Sequence, residues 1–125
     1  MRMPLALSAV IEVGAGLGML LLPSPLAVIL LGSALDTAVS VTVARVAGLA
    51  LLALGISCWF ARYDGQGRVA RGVLGAMVLY NAGACALLVF VGAGLRLSGV
   101  GWWPAVLAHG GMGVWCVTSL VRGKP

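Results

Sequence analysis

Four residues that can do chemistry stand inside runs that otherwise carry none. Glu12 lies in "SAVIEVGAG", Arg45 in "VARVAGLALL", Asn81 in "VLYNAGACA" and His109 in "VLAHGGMG". A guanidinium keeps its proton in any protein environment, whereas a carboxyl group can exchange one. Asparagine offers two donors and an acceptor, and a neutral imidazole offers one of each. Together these types suit one buried network, with Arg45 and Glu12 as opposite charges bridged by Asn81 and His109, and with Tyr80 or Ser8 close by. Two uses follow from it. One is a structural latch that fixes the register of packed helices. The other is a site for a small ligand or a proton, since ionisable groups inside apolar spans mark function by default.

The composition says what must hold these residues. The chain has 125 residues, 62% of them hydrophobic and 9% charged, with a mean hydropathy of +1.12. A soluble domain carries about 25% charged residues, so this chain reads as an all-α integral membrane protein of one domain, residues 1–125. Four spans emerge, at about 4–22, 37–61, 70–95 and 102–121. "PSP" at 23–25 ends the first, and "LAVILLGSALD" at 26–36 is too short to cross about 30 Å of hydrocarbon. We read it as a short interfacial or re-entrant helix, with Asp36 as N-cap of the second span. The apolar run of the first span exceeds the usual ~7–15 residues of a signal-peptide centre and contains Glu12, so it is expected to be retained.

Arg2, the loop arginines Arg62, Arg68 and Arg71, and the tail residues Arg122 and Lys124 fall on one side of an antiparallel four-helix bundle. The positive-inside rule makes that side cytoplasmic, with both termini there. Trp59 and Tyr63 then join the inner aromatic belt, and Trp102 and Trp103 the outer one. At a rise of ~1.5 Å per residue, Glu12 stands roughly 12 Å above the cytoplasmic ends, Asn81 roughly 16 Å, His109 roughly 18 Å and Arg45 roughly 24 Å. The gap of ~12 Å between Glu12 and Arg45 leaves two options. Either neutral groups bridge it, or Arg45 snorkels to the outer interface about two turns away.

Other chemistries are poorly served. His109 is the single histidine, which excludes bis-histidine haem within one chain, and Glu12 with His109 falls short of a metal site. No metal or cofactor is expected. "GAGLG" at 14–18 follows no strand, so it is not a nucleotide loop. No nucleophile is paired with a base, so no catalytic residue is assigned, although lipid-modifying chemistry at His109 stays open. The few basic residues at span ends fit lipid headgroups rather than nucleic acid. Cys58, Cys85 and Cys116 read as small buried hydrophobes. Gly14 with Gly18 and Ala44 with Gly48 form small-x-x-x-small faces for close helix approach, either within the chain or in a homo-oligomer.

Two resemblances add to this reading. The first span from Glu12 to Leu17, the proline after it, and the stretch from Arg45 to Gly55 resemble the small four-span bacterial proteins of the DoxX-like group. That resemblance implies an accessory role in a bacterial inner membrane. We read the chain as a small accessory or subunit protein acting through partner or lipid contact, with a polar core that could hold a small ligand such as a quinone or a lipid headgroup. The four spans and the single glutamate of the first span also resemble small multidrug resistance transporters. There, Glu12 would bind proton and cation in turn. Two features depart from that family: the nearby Arg45, and a third span without tryptophan.

Overall fold

The computed structural model describes residues 1–123, and Lys124 of the expected cytoplasmic cluster lies outside them. The described residues form five helices: α1 (Arg2–Leu21), α2 (Pro23–Leu31), α3 (Ala38–Ala61), α4 (Arg68–Gly94) and α5 (Trp102–Arg122). Four of these, α1, α3, α4 and α5, are long and apolar enough to cross a membrane. They run up and down in sequence as an antiparallel bundle. α1 packs most closely on α3, and α4 on α5, while α3 with α4 and α1 with α5 complete the ring. That order sets α1 and α4 diagonally across the centre.

The α1–α3 pair is made by missing side chains. Gly16 and Gly48 lie so close that a Cβ on Gly16 would stand 2.7 Å from the Gly48 carbonyl oxygen, and one on Gly48 would stand 2.8 Å from that of Gly16. Between helices in lipid, such backbone approach is the main attraction, because lipid tails are as apolar as leucine. Gly48 lies at this contact, and Ala44, one turn before it on α3, is buried. Gly14 takes no part in it, because no atom of another element lies within 4 Å of its Cβ position. Gly18 meets only Leu26 of α2, at 3.4 Å. The reason is angular. Gly14 lies about 200° around α1 from Glu12, so the two cannot both face inward, whereas Gly16 is one turn from Glu12 on the same stripe.

A core of Leu5, Ala9, Cys58, Ala61, Ala70, Leu74, Met77 and Cys116 closes the end that carries the α3–α4 loop. Outside it the helices present apolar side chains outward, with Leu79 77% and Val39 73% exposed. Such faces suit lipid and would not suit water.

The connections depart from expectation in two places. α2 begins at Pro23 rather than after the prolines, with Pro25 also in its first turn, where the missing N–H groups would have had no helical partner. α3 is capped by Thr37 rather than Asp36: Thr37 Oγ1 accepts from the Ser40 N–H at 3.0 Å in a reciprocal capping box. α2 ends against the α4–α5 connection. Gly101 N–H donates to the Ile29 carbonyl at 2.8 Å, and Gly99 N–H to that of Leu30 at 3.1 Å. These contacts hold the short helix over one end of the bundle.

The cap of α4 comes from a distance. Asp64 Oδ2 accepts from the Val69 and Ala70 N–H groups at 3.0 and 3.1 Å. Asp64→Ala is expected to cost about 1 kcal/mol, read as a lower unfolding midpoint in detergent micelles, with Asp64→Asn losing less.

Candidate functional site

The inward stripes of α1, α4 and α5 carry polar residues among apolar and small ones, whereas that of α3 carries none. On α1, Glu12 continues Leu5, Ser8 and Ala9, with Gly16 beyond it. On α4, Asn81 continues Ala70, Leu74 and Met77. On α5, His109 sits between Val106 and Met112 on the face that ends in Cys116. The stripes converge about one turn beyond the apolar core. Glu12 and Asn81 are each 2% exposed and Ser8 is 1% exposed.

The hydrogen bonds fix the protonation pattern of the neutral members. Asn81 Nδ2 donates to the Met77 carbonyl of its own helix at 2.8 Å. Its Oδ1 therefore faces His109 Nδ1, at 2.9 Å. An amide oxygen only accepts, so His109 Nδ1 carries the proton. In the neutral ring Nε2 is left with a free lone pair. Tyr80 stands edge-on to the His109 ring, centroids 5.5 Å apart and planes at 80°, and its hydroxyl lies close to the Glu12 carboxyl. Glu12 of the α1–α3 pair thus meets Tyr80 of the α4–α5 pair across the bundle diagonal.

Ser8, Glu12, Asn81, His109 and Met112 help to line a cavity of about 40 Å³. That is room for one or two water molecules and far below the ~300 Å³ at which pockets for larger ligands begin. A quinone therefore does not fit among these side chains as they stand. The Ser8 hydroxyl has no hydrogen-bond partner among the described residues and lines the same space. Sequence reasoning placed Ser8 near the network as an alternative to Tyr80; both are present.

Arg45 is elsewhere. It is exposed and does not line the cavity at Glu12. The face of α3 turned to α1 is built from Ala44, Gly48 and Gly55. Arg45 follows Ala44 by one position, which turns it about 100° away from that contact. It stands only seven residues beyond the α3 start at Ala38, about 10 Å of helix, which is within snorkelling range of the interface. The expected Glu12–Arg45 pairing is replaced by a carboxyl group with neutral partners. Trp102, expected in the outer belt, is half-buried and donates from Nε1 to the Leu88 carbonyl at 2.7 Å; Trp103 stays exposed. Cys58, Cys85 and Cys116 are free thiols, and no cluster of three metal-binding side chains occurs among the described residues.

Fold and site together define a small multi-pass membrane protein: an all-α bundle with one carboxyl group buried at its centre. No family model, characterised protein or solved structure matches the chain.

Proposed function

We propose that this chain is an accessory or subunit protein of the bacterial inner membrane, with both termini cytoplasmic, and that its working centre is a proton-exchanging carboxyl group, Glu12. The observation that carries this reading is Glu12 itself, 2% exposed, contributed by one helix pair and facing Tyr80, Asn81 and His109 from the other. Burying an ionisable group in a span is expensive, and a merely structural latch could use neutral amides instead. Gain or loss of a proton at Glu12 changes what the carboxyl group can offer the Tyr80 hydroxyl of the other pair, and so changes how the two pairs sit together. The outward apolar faces suit lipid, a second copy or a larger membrane complex, and the DoxX-like resemblance points the same way. No nucleic-acid partner is proposed.

Gentle-detergent purification with mass spectrometry tests this role. Wild-type chain is expected to bring down membrane proteins that Glu12→Gln, equally folded, does not. Equal recovery with both chains would contradict it. A second reading is favoured by the position of Arg45: without an internal countercharge, Glu12 can act as in the small multidrug resistance transporters. It predicts cation-coupled proton flux in liposomes, abolished by Glu12→Gln, whereas the accessory reading predicts none.

A further inference from the structure

The outer flank of the α1–α3 pair, on the other side of α1 from Glu12, carries a second feature. Val10, Val13, Gly14, Ile56, Trp59 and Phe60 line an apolar groove of about 420 Å³. The groove continues downward from Val10 to Ala6 on α1, and from Trp59 near the end of α3 to Tyr63 in the turn just after it. There Arg2, Met3, Ala6, Arg62 and Tyr63 line a hollow of about 270 Å³. The groove is apolar along its length and basic at its foot.

The two arginines are held there. The Arg62 guanidinium lies 3.2 Å from the Trp59 ring centroid and 4.5 Å from that of Tyr63. Arg2 Nε donates to the Arg62 carbonyl at 3.4 Å. Arg62 Nε is buried with no hydrogen-bond partner among the described residues. The nearest acid in sequence, Asp64, caps α4 with its Oδ2. Arg62 also donates from Nη2 to the Tyr63 hydroxyl. Two arginines lining one hollow, with no carboxylate partner among the described residues, suit an anion that offers several oxygens. From Arg2 to Gly14 the groove runs about 18 Å, close to the ~15 Å half-thickness of a bilayer core.

We propose that this flank binds one anionic phospholipid, its phosphate on Arg2 and Arg62 and one acyl chain along the groove past Trp59 to Gly14. Gly14 leaves the upper groove open. The site shares no residue with the Glu12 cluster, so either reading can fail alone.

Native mass spectrometry of the chain released from mixed micelles of phosphatidylglycerol and phosphatidylcholine tests it. One phosphatidylglycerol is expected to be retained in preference to phosphatidylcholine. Arg2→Gln and Arg62→Gln should each reduce that preference about fivefold. Gly14→Leu, which fills the groove where no neighbouring atom lies within 4 Å, should reduce retention of either lipid. Gly83→Leu, equally open but on α4, should leave retention unchanged. Equal retention of the two lipids by wild type would overturn the proposal, as would unchanged preference in both arginine variants. A dimer that Gly14→Leu dissociates would overturn it in favour of a second copy of the chain. If Gly14→Leu does not fold, the arginine variants decide.

Discussion

Gly48→Leu is expected to separate α1 from α3 and leave no folded bundle. A single added carbon would already stand 2.8 Å from both the Gly16 carbonyl oxygen and the Leu20 nitrogen, and 3.1 Å from Met19 Cβ. Two of these are backbone atoms, which cannot turn aside as a side chain can. Overpacking commonly costs about 1–3 kcal/mol, and more where nothing yields. Here the helices must part along their closest contact, which supplies most of the attraction between them in lipid, so a loss of at least about 3 kcal/mol is expected. Gly14→Leu provides the contrast. It lies two residues from Gly16 but faces open space, and its effect should stay within about 0.5 kcal/mol. Denaturant titration in mixed micelles, followed by circular dichroism, measures both. Comparable midpoints for Gly48→Leu and wild type would mean that the Gly16–Gly48 approach does not hold the pair.

The second large effect concerns Glu12. Lysine at this position would bring a cation into the bundle centre among Ser8, Tyr80, Asn81 and His109, with no carboxylate to meet it. On the lenient insertion scale an intramembrane lysine costs about 2.5–3.5 kcal/mol. We expect Glu12→Lys to fail in membrane assembly or to run as an aggregate on size exclusion. Glu12→Gln keeps the shape and an acceptor for the Tyr80 hydroxyl. Single interhelical hydrogen bonds in membranes average about 0.6 kcal/mol, so Glu12→Gln should be monodisperse and close to wild type in stability. If Glu12→Gln collapses as Glu12→Lys does, the carboxyl group is a structural latch and the proton-exchange reading loses its ground.

Much of the architecture is legible from the sequence because lipid imposes simple demands. Apolar runs of some twenty residues, punctuated by "PSP", "DGQG" and "RLSG", locate four spans to within a few residues. The inward setting of Glu12, Asn81 and His109 also follows, because a polar group in hydrocarbon needs partners and only the bundle centre supplies them. Helical phase is harder to judge by eye. Gly14 and Gly18 have the familiar spacing, yet setting Glu12 inward already turns Gly14 outward and selects Gly16. The same reasoning applies to Arg45: once Ala44 and Gly48 face α1, the next residue along must point elsewhere. Asp36 lost the cap to Thr37 because Ser40, three residues on, completes a reciprocal pair that Asp36 has no partner to match. The tertiary capping of α2 by Gly99 and Gly101 had no local signal, since its donors come from a connection some seventy residues later in the chain.

The central claim is that Glu12 exchanges a proton inside the bundle. Its most direct test is pH-difference infrared spectroscopy of the chain in liposomes. The sequence has only three acidic side chains, Glu12, Asp36 and Asp64, and the two aspartates are exposed, so carboxyl bands can be assigned by substitution. The prediction is a carboxyl C=O band that responds to pH in wild type, survives in Asp36→Asn and Asp64→Asn, and is absent in Glu12→Gln. Identical difference spectra for wild type and Glu12→Gln would contradict the claim.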